Sequence, residues 1–78
     1  MNYPVRCVII NADNTDIGFG FVATTPVKSL PHIGKRGLAE RIDEDVRIKL
    51  DDGNIIYGYE CWWIPEDDYN KVTEKLHK

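Results

Sequence analysis

The residues able to do chemistry are few, and their spacing does not assemble them into a catalytic or metal site. Ser29 and His32 stand three apart in a proline-containing stretch, where such a pair reads as a local hydrogen bond rather than a nucleophile with an oriented base. Cys7 and Cys61 are the only cysteines, each in an apolar run, so buried free thiols are expected. With His32 and His77 they form no zinc spacing. Residues 11–16, NADNTD, look like the start of a calcium loop, yet the sixth position lacks glycine and the twelfth lacks glutamate, so a solvated turn is expected. Gly18 and Gly20 lack the third glycine and the strand-to-helix setting of a phosphate loop. The acidic pairs Asp51-Asp52 and Asp67-Asp68 suit a turn and a helix start. No enzyme activity, metal or cofactor is expected from these residues.

The elements that position these side chains read as one small domain, residues 1–78, with room for a single core. No apolar run approaches the roughly 20 residues of a membrane span. MNYPVRCVII lacks the charged leader and long apolar region of a signal peptide, so a cytoplasmic location is expected. Val5 to Ile10 reads as a strand. Residues 17–24, IGFGFVAT, read as a second one, with Ile17, Phe19 and Phe21 on an apolar face and glycines where another backbone crosses closely. On that reading Gly20→Ala is tolerated better than Gly53→Val. Residues 25–35, TPVKSLPHIGK, read as an ordered loop, with Leu30 and Ile33 as plugs over the core.

Residues 34–63 organise the rest, reading as three successive antiparallel strands. Val46, Ile48 and Leu50 alternate with Arg47 and Lys49, the period of a strand with one wet face. Asp52-Gly53 suits a two-residue turn, which would set Leu50 opposite Ile55, Ile48 opposite Tyr57 and Val46 opposite Tyr59. Tyr57, Tyr59, Cys61 and Trp63 would then face inward, and Ile56, Gly58, Glu60 and Trp62 outward. Upstream, Leu38 would meet Leu50 and Ile42 would meet Val46, with residues 43–45 as the turn. Glu40 would then fall among apolar residues, which calls for a bulge, an open strand end or a partner. Arg41 would sit across from Arg47. After Trp63, Pro65 and three acidic residues start a helix of about residues 66–77, with basic residues at its end and Tyr69, Val72 and Leu76 as one apolar stripe.

Short strands, a long first loop and a hairpin series point to a mainly β fold, a five-stranded small barrel with a short C-terminal helix. LPHIGKRGLAERI, then VRIKLDDG and GYECWWIP, resemble the pattern of SH3-like small barrels, KOW-type domains among them, over residues 30–65. The chain is also similar to small SH3-like proteins of unassigned function from phages and bacteria. The resemblance implies a binding module without catalysis, for peptide, modified lysine, RNA or a larger protein.

Two partner classes follow. A protein partner would use Trp62 as its anchor, with Ile56 and Tyr3 as neighbours and His32 from the long loop. Nucleic acid is the alternative, along a basic face of Lys35, Arg36, Arg41, Arg47 and Lys49. The formal charge of −3 weighs against the alternative.

Overall fold

The β-branched run VRCVII forms β1 (Val5–Ile10), the strand on which the others assemble. The computed structural model describes residues 2–13 and 15–76, with helical side chains described through residue 71. After β1 come β2 (Asp16–Gly18), β3 (Phe21–Val22) and a 3-10 helix (Val27–His32). Then follow β4 (Arg36–Ile42), β5 (Asp45–Leu50), β6 (Ile55–Tyr57), a second 3-10 turn (Gly58–Glu60), β7 (Trp62–Pro65) and α1 (Glu66–Leu76). β2 and β3 pair only with each other; the remaining strands form a five-stranded antiparallel sheet in the order β6-β5-β4-β1-β7. The molecule is thus mainly β with a short C-terminal helix. Among the described residues no ladder joins β6 to β7, and no helix is long and apolar enough to cross a membrane.

One face of the sheet carries the core, Cys7, Ile9, Ala39, Ile48, Leu50, Ile56 and Cys61, with Tyr3, Val5, Val46 and Trp63 packed against it. A methyl group on Gly58, just after β6, would lie 3.2 Å from Nε1 of Trp63 in β7 and 3.1 Å from Cβ of Val46. On the other face α1 packs against β1 and β7, where Val8 is fully buried. Its first turn holds Glu66, Asp67 and Asp68, matching the helix dipole. Pro65 ends β7 opposite Cys7 rather than opening the helix. The side chains of Val72, Lys75 and Leu76, and residues 77 and 78, lie outside the described residues.

Both hairpins sit one residue away from the expected register. The Leu50 amide donates to the Asn54 carbonyl at 2.8 Å and the Gly53 amide to the Leu50 carbonyl at 3.0 Å, closing a three-residue loop. Such a loop needs positive φ at one position only, supplied by Gly53 at 95°, and the Asn54 amide donates to Asp52 Oδ1 at 2.9 Å to hold it. Ile48 therefore faces Ile56 and Arg47 faces Tyr57. Ile56 is in the core, and Tyr59 is 74% exposed on the 3-10 turn. In the other hairpin Ile42 faces Asp45, so Glu40 lies opposite Arg47 on the wet face, and Arg41 lies opposite Val46. The carboxylate that did not fit the core was the sign of this shift. The third strand expected to run through Trp63 is interrupted at Gly58, and β7 returns to pair with β1 instead.

Residues 17–24 are likewise two strands, not one. Gly18, Phe19 and Gly20 have φ of 100°, 56° and 80°, which turns the chain back on itself. No backbone crosses the two glycines: nothing lies within 4 Å of a Cβ added to either. Leu30 and Ile33, expected as plugs, are 49% and 36% exposed.

The close approach is at Gly37 instead. A Cβ there would meet the Lys49 carbonyl oxygen at 2.6 Å and Leu50 Cα at 3.0 Å, both backbone atoms that cannot swing aside. Gly37→Ala is expected to cost about 3 kcal/mol, the upper part of the overpacking range. Gly20→Ala, strained only by its positive φ, should cost about 1 kcal/mol. Urea melts of both variants check the order; an equal or smaller loss for Gly37→Ala would show that β4 and β5 can part there cheaply.

Candidate functional site

The long connection between β1 and β4 leaves and re-enters the sheet at adjacent points. Ile9 donates its amide to the Lys35 carbonyl at 3.0 Å, and Gly34 donates to the Ile9 carbonyl at 2.8 Å. Thr25, almost fully buried, clamps the base. Its Oγ1 accepts the Ala12 amide at 3.0 Å and donates to Asn11 Oδ1 at 2.9 Å, while its own amide donates to Asp13 Oδ1. Beyond this clamp the β2–β3 hairpin carries Ile17, Phe19, Phe21 and Val22 at 52%, 100%, 67% and 58% exposure. Four large apolar side chains on one short hairpin make a patch of the kind that marks an interaction site.

Two further ties run from the loop to the end of the chain. Trp62 donates from Nε1 to the Thr24 carbonyl at 2.9 Å. Lys28 pairs with Glu60 at 3.0 Å, joining the two 3-10 segments and holding the Glu60 carboxyl below its usual range; the Tyr57 amide, donating to the same carboxylate, adds to this. Beside that pair Tyr59 stands exposed, its ring stacked on Tyr57 with centroids 5.8 Å apart.

The residues expected to bind a protein partner are thereby dispersed. Trp62 does face outward, opposite Ile10, while Trp63 faces the core opposite Ile9. Trp62 is covered in part by the long loop, whose Thr24 carbonyl accepts its indole N–H, while α1 packs against β1 and β7. Ile56 is removed from any surface by its burial. Tyr3 packs against the core near Glu40 and Arg41, beyond the end of β1 opposite Ile10, so at about 3.3 Å per residue it is roughly 20 Å from Trp62. His32 is half-buried, with Nδ1 3.4 Å from Lys35 Nζ. The Ser29 hydroxyl donates to the Pro26 carbonyl at 2.9 Å, so it is engaged locally rather than with His32. Sequence reasoning missed the hairpin tip. Its signal was Gly-Phe-Gly, a phenylalanine flanked by the two residues that allow a reversal.

The basic residues are spread around the sheet, and most of them face a carboxylate. Lys35 pairs with Asp52 at 2.5 Å and Arg36 with Glu66 at 3.2 Å. Lys49 and Arg47 approach Glu40 at 3.5 and 3.9 Å. Arg41 donates from Nε to the Asp43 carbonyl at 3.0 Å. Arg6, outside the expected set, holds Asp51 in two hydrogen bonds of 2.8 and 2.6 Å, which lower the Asp51 carboxyl below its usual range. The thiols are buried and free, and burial raises Cys7 to about 11 and Cys61 to about 12, leaving both protonated at neutral pH. Among the described residues no cluster of three or more His, Cys, Asp or Glu side chains is placed to hold a metal ion. Compared with known proteins, the chain matches no family model, no curated protein and no solved structure.

Two expected outcomes follow from this geometry. Asp52 is lowered from 3.8 to about 2 by the Lys35 hydrogen bond first and the Asn54 amide second. A carboxyl depressed on folding contributes stability that is complete above its unfolded value and is lost as pH falls through its folded one. Stability should therefore decline between about pH 4 and pH 2, and Asp52→Asn should make that decline shallower, as measured by urea melts across pH. A slope unchanged by the substitution would show that the pair contributes nothing. The tryptophans should also separate: Trp63→Ala should cost about 3 kcal/mol through lost core packing, and Trp62→Ala about 1 kcal/mol through one exposed hydrogen bond. Equal losses in thermal melts would contradict their assignment to opposite faces.

Proposed function

We propose that this chain is a small non-catalytic interaction module, SH3-like in fold and cytoplasmic, which binds a protein partner through the apolar hairpin of its long first loop. The SH3-like reading is supported by the strand order and by a 3-10 turn before a last strand that returns to the first. A chain with only two cysteines is no disulfide scaffold, which suits a reducing compartment.

One observation carries the functional reading. Phe19 is fully exposed and has φ of 56°, a conformation that bulky side chains rarely adopt. Left-handed backbone costs an L-residue roughly 1–2 kcal/mol, and with Phe19 fully exposed no packing among the described residues offsets it. An aromatic ring held in water on a strained backbone, with three more apolar residues beside it, has its compensation in a complex. The engaged cations favour a protein over nucleic acid as the partner, because a cation already serving a carboxylate releases fewer counterions from phosphate.

Phe19→Asn tests the reading with little risk to folding, since Asn accepts positive φ better than Phe. The variant should melt at the same or a higher temperature and should lose partner capture in a pull-down from lysate, and nuclease treatment should leave wild-type capture intact. Capture by Phe19→Asn equal to wild type, or capture abolished by nuclease, would overturn the proposal.

A further inference from the structure

We infer that the partner is a second copy of this chain, each copy seating its β2–β3 hairpin in an apolar groove of the other. The inference rests on the interaction reading above and names the partner. The groove lies where the long loop rejoins the sheet, lined by Ile10, Ile64, Ile33 and Tyr69 with the backbone of Gly34, and has a volume of about 320 Å³. A cavity of about 150 Å³ already accepts a benzene ring. There is room for the Phe19 ring and the start of its hairpin. The chain thus carries both an apolar projection and an apolar recess to receive one.

Charge agrees with this seating. Asp13 and Asp16 stand at the base of the hairpin, exposed and without a cation partner among the described residues. Lys35 and Arg36 follow Gly34 at the groove, and the Arg36 guanidinium lies 5.5 Å from the Tyr69 ring centroid. Both cations already serve acids of their own chain, so the added attraction orients the approach more than it strengthens the complex. A lipid surface would meet the same aspartates unfavourably, because an apolar tip that enters membranes carries cations beside it.

Area decides between one-way and reciprocal seating. At roughly 200 Å² for a whole aromatic side chain, Phe19 and Phe21 together expose about 300 Å². One insertion, counting the groove surface it covers, buries about 600 Å², within the range of incidental contacts. Two insertions reach about 1,200 Å², where stable interfaces begin, and also close the assembly as a symmetric pair rather than leaving an open chain of copies.

Sedimentation equilibrium of the purified protein over a concentration series, with lysate capture run beside it, provides the test. The mass should rise from 9.0 kDa to twice that value. Phe19→Asn in the hairpin and Ile33→Glu in the groove should each weaken pairing at least tenfold. Mixed together, these two variants retain one intact hairpin and one intact groove, a single insertion, and should pair more tightly than either alone yet at least tenfold more weakly than wild type. Circular dichroism melts verify that both variants fold; should Ile33→Glu not fold, Tyr69→Ser replaces it. A mass of one copy at every concentration, a mass climbing beyond two copies, or a mixture that pairs as tightly as wild type would each overturn the inference. A monomeric protein whose lysate capture still depends on Phe19 would refute self-pairing alone; loss of that dependence would refute the interaction reading as well.

Discussion

Strand β1 is hydrogen-bonded along both edges, to β4 on one side and β7 on the other, and the rest of the molecule depends on this double pairing. It places Cys7 and Ile9 in the core and Val8 under the helix, so both faces of the strand are dry over these three residues. It also dictates the long loop. β1 ends at Ile10, its antiparallel neighbour β4 begins at Arg36, and neighbouring strands lie only about 4.8 Å apart. Residues 11–35 must leave the sheet and return to almost the same place. A hairpin of its own is the economical way to satisfy the backbone of so long an excursion.

How far the fold was legible depended on which signal each residue gave. Alternation in β5 identified its two faces correctly: Ile48 and Leu50 are buried, and Lys49 is exposed. Asp52-Gly53 marked the turn, but an Asp-Gly pair suits a two-residue loop and also the last two positions of a three-residue loop, and these alternatives differ by one residue in register. Tyr57 and Tyr59 then pulled the reading toward burying aromatic area. The native arrangement buries Ile56 and leaves Tyr59 in water, because the chain departs from strand geometry at Gly58, where an added Cβ would crowd Val46 and Trp63 at 3.1 and 3.2 Å. Glu40 held the correcting information, being a carboxylate in an apolar row whose partners, Lys49 and Arg47, become neighbours only after the shift.

The candidate site was less legible than the sheet for a physical reason. Trp62 was placed on the correct face, since adjacent strand residues point to opposite sides, and that rule holds wherever the strand is regular. Whether an outward aromatic is covered depends on loops, whose paths follow from capping and side-chain hydrogen bonds such as those of Thr25 and Lys28 rather than from periodicity. The hairpin tip was read as strand because I-G-F-G-F-V alternates perfectly. Only backbone dihedral angles distinguish a glycine that admits a crossing chain from one that reverses its own, and these two glycines do the latter.

The clamp at Thr25 separates what lies beyond it from what lies beneath. Its hydrogen bonds to Asn11, Ala12 and Asp13, with the Ala23 amide donating to the Thr15 carbonyl at 2.8 Å, close the base of the loop without using any residue of the tip. The segment between Thr15 and Ala23 is therefore interchangeable in the manner of an antibody loop on its framework. Closing a longer insert costs only about 0.6 kcal/mol per doubling of length. A lineage, or an engineer, can rewrite the tip while the sheet that holds it continues to fold from an unaltered set of contacts.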